Sequence, residues 1–130
     1  MDYPVYVGAS ENLKGIRAVL AREAIKKDSV IEACPVIIFP NSELKYIEKT
    51  IINSYEYVWD DKHDCVVLGY GSIYNHSYTP NAYFTKNYEN KTMDYIALRD
   101  IEKDEEITVN YNGDPDDYEK LDPEYLDFKN

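Results

Sequence analysis

Residues Gly69-Tyr70-Gly71-Ser72-Ile73-Tyr74-Asn75-His76-Ser77-Tyr78-Thr79-Pro80-Asn81-Ala82 decide how the rest of the chain reads. Their centre, Asn75-His76-Ser77-x-x-Pro80-Asn81, gathers hydrogen-bonding side chains, a turn proline and aromatics in a run that is neither a clean helix nor a clean strand. Taken alone it is a polar loop framed by glycines, and Asn, Ser, Pro and Gly are ordinary surface-turn chemistry. Its flanks argue otherwise. Apolar Cys65-Val66-Val67-Leu68 leads in and Ala82-Tyr83-Phe84 leads out, so the loop is expected to lie against the core. Further on, Glu105-Glu106-Ile107-Thr108-Val109-Asn110-Tyr111 alternates as a strand and ends on a tyrosine.

Outward from that stretch, the chain reads as many short strands and one helix. Strands are expected at Tyr3–Val7, Ile16–Ala21, Tyr55–Trp59, Cys65–Leu68 and 105–110, with a hairpin of Ala82–Lys86 and Met93–Arg99. Ser29–Phe39 is β-branched and apolar, either one long bent strand or two short ones meeting near Pro35. Ser42 offers an N-cap, and Leu44, Ile47, Ile51 and Ile52 follow at helical spacing, predicting a helix over about 43–53. The fold class expected from this pattern is a β-rich α+β domain.

The 130 residues are enough for one core. Aspartate plus glutamate outnumber lysine plus arginine 25 to 14, a net charge of −11. So acidic a chain repels phosphate backbones, which argues against direct nucleic-acid binding, and attracts a lysine-rich protein or peptide. Cys34 and Cys65 are too few and too far apart for a zinc cluster, and no metal is expected. Both sit in apolar surroundings, as reduced core residues of a cytoplasmic protein do. Met1-Asp2-Tyr3-Pro4 lacks a signal-peptide pattern, and the longest apolar run, Val36–Phe39, is too short to cross a bilayer. No membrane partner is expected, and no oligomerisation surface can be read. Of the 14 tyrosines most are expected to be strand residues, some to line a pocket.

Together the Asn75-His76-Ser77-x-x-Pro80-Asn81 and Glu106-Ile107-Thr108-x-x-Tyr111 segments resemble the SET-domain protein-lysine methyltransferases, of the minimal bacterial or viral kind. The resemblance covers roughly residues 3 to 113. It implies small curved sheets and a knot-like crossing of the two segments, with residues 1–113 as the SET domain. It makes the acidic, aromatic tail 114–130 a possible lid over the substrate channel, through Tyr118, Leu121, Tyr125 or Phe128. It also implies S-adenosylmethionine as methyl donor, S-adenosylhomocysteine as product, and the side-chain amine of a lysine in a basic protein as acceptor.

By the same resemblance Tyr111 is the catalytic side chain and also touches the cofactor, while Asn75 and His76 hold the cofactor. The family's Gly-x-Gly motif falls on Ile16-Arg17-Ala18, with a single glycine, Gly15, one place early; these residues are expected to meet the cofactor through their backbone. Cys34 stands where many members carry a pocket tyrosine, so Tyr70, Tyr74, Phe84, Tyr118 and Tyr125 are the candidates for the lysine channel. Phe84, with Val109 two places before Tyr111, is expected to leave room for more than one methyl group. Ser77, Pro80 and Asn81 are assigned to shaping the loop, and Glu106 to pairing within the crossing. The rival reading is a SET-fold module that binds a basic peptide or the cofactor without turnover, for which the altered glycine motif speaks.

Overall fold

The computed structural model describes residues 3–11 and 13–121. Three sheets carry the fold. Strands β1 (Val5–Ala9) and β2 (Arg17–Ala21) form an antiparallel pair, with Gly8 opposite Ala18 and Val7 opposite Val19. The large sheet has five strands: β3 (Val30–Pro40), β4 (Glu56–Val58), β5 (His63–Val67), β7 (Ala82–Asn87) and β8 (Thr92–Ala97), in the order β4-β5-β3-β8-β7. The third sheet is a two-residue parallel pair, β6 (Asn75–His76) beside β9 (Thr108–Val109).

The long strand resolves the choice left at Pro35. β3 is one strand that changes partner there: Val30 to Pro35 pair with β8, Val36 to Pro40 with β5. The register against β8 slips by one residue between Val30, opposite Ile96, and Glu32, opposite Tyr95. Ile31 is therefore an extra, bulged residue, and such a slip moves the residues beyond it to the other face of the sheet. Glu32 is thereby turned to the same side as Tyr95 and is buried. Cys34 and Met93, the next inward pair, are also fully buried.

The predicted helix is present but short. Only Leu44–Ile47 (α1) is α-helical, between 3-10 turns at Asn41–Glu43 and Ile51–Ser54. Thr50 takes an extended conformation (φ −120°, ψ 162°), and its hydroxyl and amide both bond the Ile47 carbonyl. A threonine that captures the carbonyl three residues back competes with the helical ladder. The last predicted strand is also shorter than 105–110, because its neighbours on either side are different elements. Ala21 N–H donates to Glu105 O and Ile107 N–H to Val19 O on one side, while Ser77 N–H donates to Val109 O on the other. Residues 105–109 thus lie between β2 and β6, bringing Asn75, His76 and Tyr111 to one place. The core beneath them holds Val5, Val19, Ile31, Cys34, Tyr74, Met93, Tyr95, Ile107 and Val109.

Candidate active site

Asn75 ties the three crossing segments together. Its Nδ2 donates to Arg17 O (3.0 Å) on β2 and to Glu106 Oε2 (2.9 Å), and Glu106 Oε1 accepts from Ser10 Oγ at 2.5 Å. Asn81 clamps the same strand from its far end: Nδ2 donates to Glu106 O (2.8 Å) and Oδ1 accepts from Thr108 N–H (2.9 Å). Both asparagines are buried, where an amide needs its donors and acceptors matched. Ser77 Oγ accepts the Thr79 N–H, so the loop-shaping roles expected of Ser77 and Asn81 fit their contacts.

His76 Nδ1 accepts the Tyr111 N–H (3.0 Å). A ring nitrogen that accepts cannot carry a proton, so the proton sits on Nε2. That atom is buried and has no partner among the described residues. Burial depresses the His76 pKa below its ordinary 6.5, which keeps the ring neutral. The His76 ring stands edge-on to Tyr78 (4.3 Å between centroids) and tilted against Tyr111 (5.2 Å).

Tyr111 closes the site. Its hydroxyl donates to the Tyr74 backbone oxygen at 2.7 Å. Burial, with smaller contributions from Tyr57, Tyr55 and Glu106, raises the phenol's pKa far above its usual 10, so it stays a neutral donor. Its ring lines a cavity of about 410 Å³ together with Tyr55, Tyr57, Phe84, Lys86 and Leu121. Arg17, Tyr55, Ser72, Ile73 and Asn75 line a neighbouring crevice, so Tyr55 borders both spaces. His76 opens on a second, polar cavity of about 440 Å³ with Ser77, Thr79, Arg99 and Glu105. His76 and Tyr111 are thus in contact but face different cavities.

The remaining predicted site residues divide sharply. Arg17 is exposed at the crevice and Ala18 is fully buried opposite Gly8. The left-handed turn falls at Lys14 (φ 44°) and Gly15 (φ 87°), which spares Ile16 a conformation that a β-branched residue resists. Phe84 does line the aromatic cavity, edge-on to Tyr57 at 5.2 Å. Tyr74 does not: its side chain is fully buried, stacked on Tyr95 at 4.4 Å with its hydroxyl on Glu32. Tyr70 packs against the core, and Val109 is inside it. Tyr118 is 69% exposed, its ring 6.4 Å from Tyr78, outside the cavity wall. Tyr125 and Phe128 lie outside the described residues. Sequence reading passed over Tyr55 and Tyr57, although the alternation of 55–59 already set both on one face of a strand.

A sequence profile of the SET domain matches residues 17–112, most of the chain. This chain belongs to the SET-domain family. Among characterised proteins, the SET domain described here is 36% identical over 96 residues to a histone-lysine N-methyltransferase of Schizosaccharomyces pombe named as specific for lysine 37 of histone H3. The match covers 73% of this chain and 65% of that relative, so the chain spans less than two thirds of the curated relative's length. Among solved structures, it superposes on a Plasmodium falciparum protein assigned as a histone methyltransferase with a TM-score of 0.68 and 34% identity. That superposition covers 85% of this chain and 95% of the other. The β-rich sheets and short helix of this chain match the SET fold of that neighbour.

Proposed function

We propose that this SET domain transfers a methyl group from S-adenosylmethionine to the side-chain amine of a lysine in a basic, histone-like protein. One observation carries the reading. Tyr111, in the wall of an aromatic cavity, sets its hydroxyl oxygen 2.7 Å from a backbone carbonyl oxygen, beside the crevice of Arg17 and Asn75. Two adjacent oxygens are what a methyl group bearing partial positive charge needs, through weak C–H···O contacts.

Two residues of the polar cavity, Glu106 and His76, suit a cationic donor. The Glu106 carboxylate is held by neutral partners, Ser10 and Asn75, and so leaves negative charge for a positive ligand. His76 keeps a buried N–H without a partner, a donor for a polar ligand group. Ile16, Arg17, Ala18, Asn75 and His76 would hold the donor, largely through backbone; when bound, it supplies the electrophilic methyl.

The acceptor side follows from the cavity. A lysine amine attacks only when neutral, and a free lysine near pKa 10.4 is almost wholly charged at pH 7. The aromatic walls of Tyr55, Tyr57, Phe84 and Tyr111 would strip water from a bound amine, which favours loss of that proton. Tyr111 orients the amine through its oxygen; with its own pKa raised it is no general base. Residues 114–121 reach back over the site, with Leu121 in the cavity wall, and act as its lid.

The test is transfer of labelled methyl from S-adenosylmethionine to recombinant histone H3, with Tyr111→Phe as the paired control. Wild type should label lysine, and Tyr111→Phe should lose at least about a hundred-fold in kcat while still binding the donor by calorimetry. Donor binding without any labelling of lysine-rich protein would favour the binding-module reading instead. Undiminished turnover in Tyr111→Phe would remove Tyr111 from the mechanism.

A further inference from the structure

Glu32 is a buried carboxylate that the reaction itself does not touch. It is 3% exposed in the centre of the large sheet. The two ion pairs among the described residues, His63–Asp60 and Arg99–Glu105, do not include it. A buried carboxylate without a cation is costly unless hydrogen bonds replace its water. Here they do: Oε1 accepts the Tyr74 hydroxyl (2.9 Å) and Oε2 accepts the Tyr70 N–H (3.0 Å). Gly69, at φ 64°, leaves the carboxylate room, since a Cβ there would run into Oε2. The Ile31 bulge is what turns Glu32 inward; in unbroken register it would face Asp94 and the other side of the sheet.

Both bonds land on the stretch that leads into the site. Glu32 grips Tyr70 and Tyr74 by two points, the Tyr74 ring is stacked on Tyr95, and the Tyr74 carbonyl is the acceptor for the Tyr111 hydroxyl. A phenol hydroxyl prefers the plane of its ring, where two directions are equivalent; its acceptor decides between them and so sets where the oxygen's lone pairs point. We propose that Glu32 is a positioning residue for Tyr111, acting through the Tyr74 hydroxyl and carbonyl to fix the direction of the Tyr111 hydroxyl. The proposal rests on Tyr111 being the catalytic tyrosine. It gives a role to a buried carboxylate that is in neither ion pair among the described residues.

A double-mutant cycle tests it. Tyr74→Phe keeps the ring and the carbonyl but frees them from Glu32, and Glu32→Gln weakens the same grip should the first variant fold poorly. Each is expected to lower kcat on histone H3 about ten-fold, because small misplacement of a reacting group is expensive, with KM for both substrates held within about two-fold. In a Tyr111→Phe background the same changes should cost nothing further, since they act only through the missing hydroxyl. Equal losses in both backgrounds, or no loss in a folded variant, would overturn the proposal. A second readout needs no turnover: the 13Cζ resonance of Tyr111, assigned by its disappearance in Tyr111→Phe. It should move in Tyr74→Phe and in Glu32→Gln. If wild type transfers no methyl, the catalytic reading fails, and an unmoved resonance would separately sink the positioning of Tyr111 by Glu32.

Discussion

His76 shows how one ring can set a pH limit. Its Nδ1 can accept the Tyr111 N–H only while deprotonated, and burial lowers its pKa below 6.5. A base whose folded pKa is depressed stabilises the fold above its unfolded value and loses that contribution as pH falls through the folded one. Methyl transfer should therefore show an acid limb with its midpoint below 6.5, measured as kcat/KM against pH. His76→Asn, whose side-chain oxygen can accept the same N–H, should erase that limb; an unaltered limb would belong to another group. Phe84 sets a different property. Among the described residues it is the predicted channel aromatic that reaches the cavity, and a hydroxyl added there would occupy room a second methyl needs. Phe84→Tyr should shift products towards monomethyl-lysine by mass spectrometry; an unchanged distribution would exclude Phe84 as the limit. Tyr70, Tyr74 and Tyr118 lie away from that cavity for a common reason. Tyrosine suits core and channel alike, and which face it takes depends on turns whose geometry no period encodes.

At the scale of elements, the motif segments and most strands were legible, because alternation and turn residues speak locally. The Ile31 bulge was not: in Val30-Ile31-Glu32-Ala33-Cys34 nothing marks which residue is extra, yet it decides that Glu32 points inward. Strand β4 carries a related conflict. Glu56 lies opposite Val66 and Val58 opposite Asp64, so both carboxylates share one face. Glu56 Oε2 and Asp64 Oδ2 are buried with no partner among the described residues. Burial raises the pKa of both, Asp64 adding repulsion at Glu56 and Asp60 at Asp64. A carboxyl group with a raised folded pKa favours the fold at low pH and opposes it once ionised. Glu56→Gln should therefore raise the melting temperature by a few degrees at pH 7, and the gain should shrink as the pH is lowered into the carboxylate range. A lower melting temperature at pH 7 would mean that the ionised Glu56 is stabilising β4.

At the scale of the whole molecule, an acidic chain carries a C-terminal segment, described to residue 121, that docks beside the proposed site. A net charge of −11 favours encounter with a lysine-rich protein, but a field alone does not place one lysine in an aromatic cavity. The tail does something more specific. Asn110 and Asn112 donate to Asp117 O, Asn112 also donates to Glu119 O, Tyr78 donates to Glu119 O, and the Leu121 N–H donates to the Tyr78 hydroxyl. Each anchor sits next to a proposed site residue: Tyr78 against His76, Asn110 and Asn112 on either side of Tyr111. The docked residues are mostly exposed, so they add little to the core, and Leu121 among them lines the cavity. Truncation after Gly113 should leave the melting temperature nearly unchanged while kcat/KM on histone H3 falls about ten-fold, the worth of one or two such hydrogen bonds. The fall should appear chiefly in KM for the protein substrate if the tail holds the peptide, and in kcat if it excludes water from the amine. Full activity in the truncated chain would show that the cavity of Tyr55, Tyr57, Phe84 and Tyr111 is closed without it.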